Sequence, residues 1–71
     1  VEALEFIVKA ETRYTDIPLK DLSLKPNNLI ACIARKWKII IPNGDDSIQV
    51  GDNVIVITMK KQIQDIEDIL L

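Results

Sequence analysis

The chain has 71 residues, with 9 lysines and arginines against 11 aspartates and glutamates, a net charge of −2, no histidine and one cysteine. That length allows one domain, 1–71, which buries only about 60% of the surface its unfolded chain exposes, so its own core is marginal and no internal disulfide can add to it. The charge balance argues against a nucleic-acid arm or a polybasic anchor, no apolar run approaches the roughly 18 residues of a membrane span, and the commonest acid–base group and metal ligand is missing.

The first stretch, 3–10, alternates. Leu4, Phe6, Val8 and Ala10 point one way, and Glu5 and Lys9 point the other with Ala3 and Ile7, the pattern of a half-buried strand. The chain opens at Val1, without a methionine, almost directly on this strand, which leads us to expect a piece of a longer protein. From Asp16 to Leu22 the sequence carries helix-start signals: Asp16 can cap free amides, Pro18 suits a first turn, and Leu19 and Leu22 share a face. Pro26 and Asn27-Asn28 keep this helix short. A second strand is predicted over 29–35 and a third over 38–41, joined at Lys36-Trp37 into a hairpin. Lys-Trp is not a favoured pair for a two-residue turn, so a longer turn is allowed for. Cys32 lies in the apolar run of the second strand and reads as a buried structural thiol.

Pro42 ends the third strand and Asn43-Gly44 marks a turn. Residues 47–50 have room for a short extended piece anchored by Ile48 and Val50. Gly51-Asp52 then turns into a fourth strand over 53–59, rich in β-branched residues. In that turn Gly51 supplies a backbone conformation closed to other residues, and Asp52 accepts from turn amides. From Lys61 to Leu71 the spacing becomes helical, with Ile63, Ile66 and Leu70 on one face and Ile69 beside them. The layout is α+β: a small, mostly antiparallel four-stranded sheet, a short helix after strand 1 and a C-terminal helix.

An antiparallel sheet usually buries one face and wets the other. Here Ile39-Ile40-Ile41 and Val54-Ile55-Val56-Ile57 are apolar on both faces, and two short helices can cover only one. A second apolar face predicts self-association or docking of a neighbouring domain, with a two-fold homodimer through the sheet or its edge as the commonest solution. Ile40, Ile55 and Ile57 are the candidates for that face.

The same residues carry a resemblance. Asp16-Ile17-Pro18-Leu19-Lys20-Asp21-Leu22, then 29–35 ending in Arg35, then Ile39-Ile40-Ile41-Pro42-Asn43-Gly44-Asp45-Asp46, then Val50-Gly51-Asp52 and Val54-Ile55-Val56-Ile57, resemble the C-terminal domain of TrkA-type regulators of potassium conductance. The family's pattern places Arg at the end of strand 2, an isoleucine pair and Pro at the end of strand 3, and Gly-Asp just before strand 4. The ending Gln64-Asp65-Ile66-Glu67-Asp68-Ile69-Leu70 resembles the extreme C-terminus of the TrkA proteins.

This resemblance implies a non-catalytic regulatory and dimerisation domain in the cytoplasm, held at the inner face of the membrane by a potassium channel or transporter subunit. It implies NAD or ATP on an upstream nucleotide-binding domain and not here, where only Gly44 and Gly51 are available and no G-x-G-x-x-G phosphate loop exists. In some relatives cyclic di-AMP binds between two such domains. Carried over, its pocket involves Asn28, Leu29, Ile30 and Pro42, although the binders have a polar amide where Leu29 stands and a basic residue near Ser23. Similar domains also occur in cation antiporters and in amino-acid or dicarboxylate exchangers, which gives an alternative host.

Three further readings carry less weight. Asp45, Asp46 and Asp52 read as turn formers and not as a metal site. The serines and Cys32 lack a base partner for nucleophilic chemistry. A nucleic-acid module would use the basic tip Arg35-Lys36-Trp37-Lys38, but the chain is acidic overall, and a solvated hairpin tip is the simpler reading, with Trp37 docking on a partner domain as another.

Overall fold

A computed structural model describes residues 1–59 and 63–71. The sheet has four antiparallel strands, β1 (Glu2–Ile7), β2 (Asn28–Arg35), β3 (Lys38–Ile40) and β4 (Asn53–Thr58), in the order β1-β4-β2-β3. The most β-branched segment, β4, takes a central position and pairs on both sides. The predicted strands are all present, each within a few residues of its expected bounds. Residues 47–50 contribute two isolated bridges: Ile48 pairs with Thr15 and Ser47 with Pro18.

The hairpin between β2 and β3 does close in two residues. Arg35 pairs with Lys38, and the intervening Lys36 and Trp37 have φ of 46° and 68°. Two consecutive left-handed residues are what a tight hairpin twist demands, even though Gly and Asn fit such positions at lower cost. Gly51, at φ 95°, occupies the one glycine position with a left-handed backbone.

Both predicted helices need correction. After β1 there is only a 3-10 turn, Leu19–Asp21, with Pro18 at its N-cap and no side-chain cap. Asp16 sits at φ 61° and cannot cap a helix from there. The backbone amides that a helix would recruit are bonded elsewhere: Asp16 N–H donates to Ile48 O, Leu19 N–H to Asp46 O and Lys20 N–H to Gly44 O. At the C-terminus another 3-10 turn, Ile66–Ile69, stands where a helix was predicted; Lys61 and its neighbours lie outside the described residues. Asp65 and Asp68 form a capping box around this turn. The chain then straightens, because Leu70 bridges Leu24, Ile69 O accepts from Lys25 N–H, and Leu71 N–H donates to Ser23 O. Pairing with 23–25 therefore wins over continuing the helix, while Ile66, Ile69 and Leu70 still reach the core.

Register sorts the sheet residues into two faces, since partners across an antiparallel ladder share a face. One face carries Phe6, Val54, Ile33 and Ile40 in one row and Leu4, Val56 and Ile30 in the next. Val8, Tyr14, Ile48, Ile66, Ile69 and Leu70 pack over it to form the core. The other face carries Ala3, Ile57 and Leu29, then Glu5, Ile55 and Cys32, then Ile7, Asn53, Ala34 and Ile39. A β-bulge between Ile30 and Cys32 lets Ile30 and Ile33 share the core face although they are three residues apart.

Candidate functional site: an open apolar face and a groove at its margin

Nothing in the described part of the chain covers the second face. Ile7, Leu29 and Ile39 are 59%, 58% and 69% exposed, and Ile55 and Ile57 between them are half-buried. Ile41, just beyond β3, is 76% exposed. The polar residues of the face, Glu5 and Asn53, bond to each other, Asn53 Nδ2 donating to Glu5 Oε2 at 2.8 Å. Of the three residues expected to form one interaction surface, Ile55 and Ile57 lie on this open face. Ile40 lies on the opposite one, paired with Ile33 and packed against the core. Cys32 is half-buried on the open face beside Ile55, so the thiol expected to be buried is only partly enclosed and lies outside the core. The apolar run 29–34 could not reveal this, because it has no polar residue to mark the outward positions.

At the margin of the face, where β3 has ended and β2, still paired with β4, becomes the edge of the sheet, lies a groove of about 240 Å³. Leu19, Leu22, Leu24, Leu29, Ile30 and Pro42 form its apolar walls, with Lys20, Asn43 and Gly44 at its polar end. Leu29, Ile30 and Pro42, singled out in the sequence, therefore meet in one place. Asn28 does not line it: its Nδ2 donates to Lys25 O and Pro26 O, both at 3.1 Å, and its Oδ1 accepts from Thr58 Oγ1 at 2.6 Å. Asn28 therefore ties the 25–28 turn to β4. Lys20 Nζ donates to Asp45 Oδ1 at 3.0 Å in an exposed pair, which engages the groove's one cation among its lining residues.

At the far end of the hairpin, one acid organises the turn. Asp52 is buried and accepts two bonds from Arg35, Nε to Oδ1 and Nη2 to Oδ2, both at 2.8 Å; Gln49 N–H adds a third at 2.8 Å. Arg35 Nη2 also donates to Ser47 O at 2.8 Å. Burial by itself would push the Asp52 carboxyl up, but the Arg35 hydrogen bonds, the Gln49 amide and the guanidinium charge together hold it below the usual carboxylate range. The role of Asp52 as an acceptor for turn amides was readable in the sequence. Its pairing with Arg35, 17 residues away, was not. Trp37 stands fully exposed at the tip, between the exposed Lys36 and Lys38.

Among the described residues no group of three or more histidines, cysteines, aspartates or glutamates could hold a metal ion, and no helix is long and apolar enough to cross a membrane.

Known proteins resemble this chain along nearly its whole length. Over 69 residues it is 29% identical to the Trk system potassium uptake protein TrkA homolog 2 of Methanosarcina mazei, covering 97% of this chain and 15% of that protein. Over 63 residues it is 35% identical to the Trk system potassium uptake protein TrkA homolog of Archaeoglobus fulgidus, covering 89% of this chain and 14% of that protein. The chain thus spans about a seventh of the length of these curated relatives. A solved chain described as "Structure of RCK domain with cda" superposes with a TM-score of 0.72 at 25% identity, over 84% of each chain. The family model described as "TrkA-C domain" matches residues 3–71, and the chain belongs to that family.

Proposed function

We propose that this chain is the C-terminal regulatory and dimerisation domain of a Trk-type potassium uptake regulator, which passes the ligand state of a neighbouring domain to a membrane potassium transport subunit. The observation that carries this reading is the open sheet face, with Ile55 and Ile57 at its centre and Leu29 and Ile39 at its margin. Apolar area contributes about 25 cal/mol per Å² when removed from water, so a few hundred Å² amounts to several kcal/mol, comparable with the whole stability of a domain this small. A face of that value is expected to be covered by a second copy. The names of the relatives favour a potassium host over an antiporter or exchanger. The domain acts as a lever: a change in how two copies pack biases the assembly they belong to.

Sedimentation of the isolated domain tests this. A dimer at micromolar concentration is expected, and a monomer throughout that range would overturn the reading. A second reading, favoured by Leu29, Ile30 and Pro42 meeting in one groove, is that the groove takes cyclic di-AMP. The bases would lie on the apolar walls, and the phosphates would draw Lys20 from Asp45. Calorimetric titration decides it; no heat at high micromolar ligand removes the idea.

A further inference from the structure

We infer that self-association through the open face is controlled by acid: Glu5 takes up a proton as two copies close, so the dimer tightens as pH falls. The inference rests on the self-association proposed above and names what regulates it. Among the described residues, Glu5 is the one charged side chain that the register places on this face. The face's other titratable group is the Cys32 thiol, and thiols ionise only toward alkaline pH. Glu5 stands opposite Ile55 across the ladder, and Ala3 and Ile7 flank it on the same side of its own strand. No ion pair holds it among the described residues. Its one partner there is a neutral amide, Asn53 Nδ2, which donates to Oε2 at 2.8 Å. Glu5 belongs to the edge strand β1 and Asn53 to the inner strand β4. The bond therefore draws the carboxylate over β4, toward the middle of the face, and away from the free edge where it would keep its water after closure.

In a single copy Glu5 is exposed, and solvent carries the charge. A second copy laid on the face removes that solvent. One amide N–H does not replace it: an ionised carboxylate in an apolar interface needs a cation or several donors, and otherwise neutralises by binding a proton. A two-fold interface uses the same patch on both copies, so each dimer encloses two such groups and can take up two protons. A state that binds more protons is favoured as pH falls, and here that state is the dimer. The range from pH 7.0 to 5.5 isolates this effect. Histidine is the side chain that ordinarily titrates there, and the chain has none.

Sedimentation of this chain at the two ends of that range tests the inference. The dimer dissociation constant is expected to fall at least about tenfold between pH 7.0 and 5.5. Glu5→Gln keeps an acceptor for Asn53 without the charge. It is expected to give the tighter dimer already at pH 7.0 and to lose most of the pH dependence. Glu2→Gln removes the same charge from the opposite face of the same strand, where Glu2 pairs with Thr58, and so controls for general repulsion between two acidic copies. It is expected to follow the wild type. A dimer of equal strength at both pH values, a Glu5→Gln dimer weaker than the wild type at pH 7.0, or an equal effect of Glu2→Gln would overturn the inference and leave the proposed function standing. A monomer at both pH values would overturn both.

Discussion

The two faces of the sheet are built from the same kinds of residue and differ only in what lies over them. Along β4, Val54, Val56 and Thr58 point to one face and are completely buried, while Ile55 and Ile57 point to the other and stay half-open. Strand β2 repeats the contrast with Ile33 against Leu29. Apolar composition therefore gives these strands their β character but does not decide which side becomes core. That depends on where the connecting segments fall. Residues 8–27, 41–52 and 63–71 supply the cover, and their core residues, among them Val8, Tyr14, Ile48 and Ile69, all gather on one side.

The strongest way to break this contrast is to make comparable changes on the two faces. Ile33→Ala is expected to destabilise the fold by about 2–5 kcal/mol in urea unfolding, because it leaves a cavity in a fully packed site. Ile55→Lys, whose ammonium would stand opposite Glu5 across the ladder, is expected to cost the monomer clearly less unfolding free energy than Ile33→Ala while abolishing the sedimenting dimer. A loss as large as that of Ile33→Ala would show that the face is closed in the monomer. Asp52→Ala comes next, at about 2–4 kcal/mol. It strands Arg35 in a partly buried position and orphans the Gln49 amide.

The same acid predicts a pH dependence. The Asp52 carboxyl is held below its ordinary value in the folded chain. Its contribution to stability is therefore complete above the unfolded value near 4 and is lost as pH falls through the lower, folded value. An acid titration of unfolding should show a drop below about pH 4 that Asp52→Asn largely removes. The smallest effect belongs to the tip. Replacing Lys36-Trp37 with Asn-Gly suits two left-handed residues and should stabilise the monomer by about 1 kcal/mol.

Much of the fold was legible in the sequence, for reasons visible in particular residues. The strands followed from β-branched runs and alternation, and the turns from Asn43-Gly44 and Gly51-Asp52. The surplus apolar face followed from counting what two short helices can cover. The helices themselves were misread, because local signals such as Pro18 and the 61–71 periodicity cannot show that the backbone of 16–20 is bonded to 44–48, or that 69–71 is bonded to 23–25. In the candidate site, Leu29, Ile30 and Pro42 came from the resemblance and do meet in one groove. The facing of Ile40 was hidden, since three consecutive isoleucines carry no alternation. The Arg35–Asp52 clamp was hidden because its partners are distant in sequence.

The bulge at Ala31 bears on how this strand can change over generations. A one-residue insertion or deletion inside a strand normally throws every later side chain to the wrong face. Here Ile30 aligns with Val56 and Cys32 with Ile55, so Ala31 is already a supernumerary residue that the ladder steps around. Its loss would leave Ile33 inward and Leu29 outward, as they are now. Position 31 is thus the place in β2 where the length of the chain can vary while the inside and outside of the sheet keep their identities.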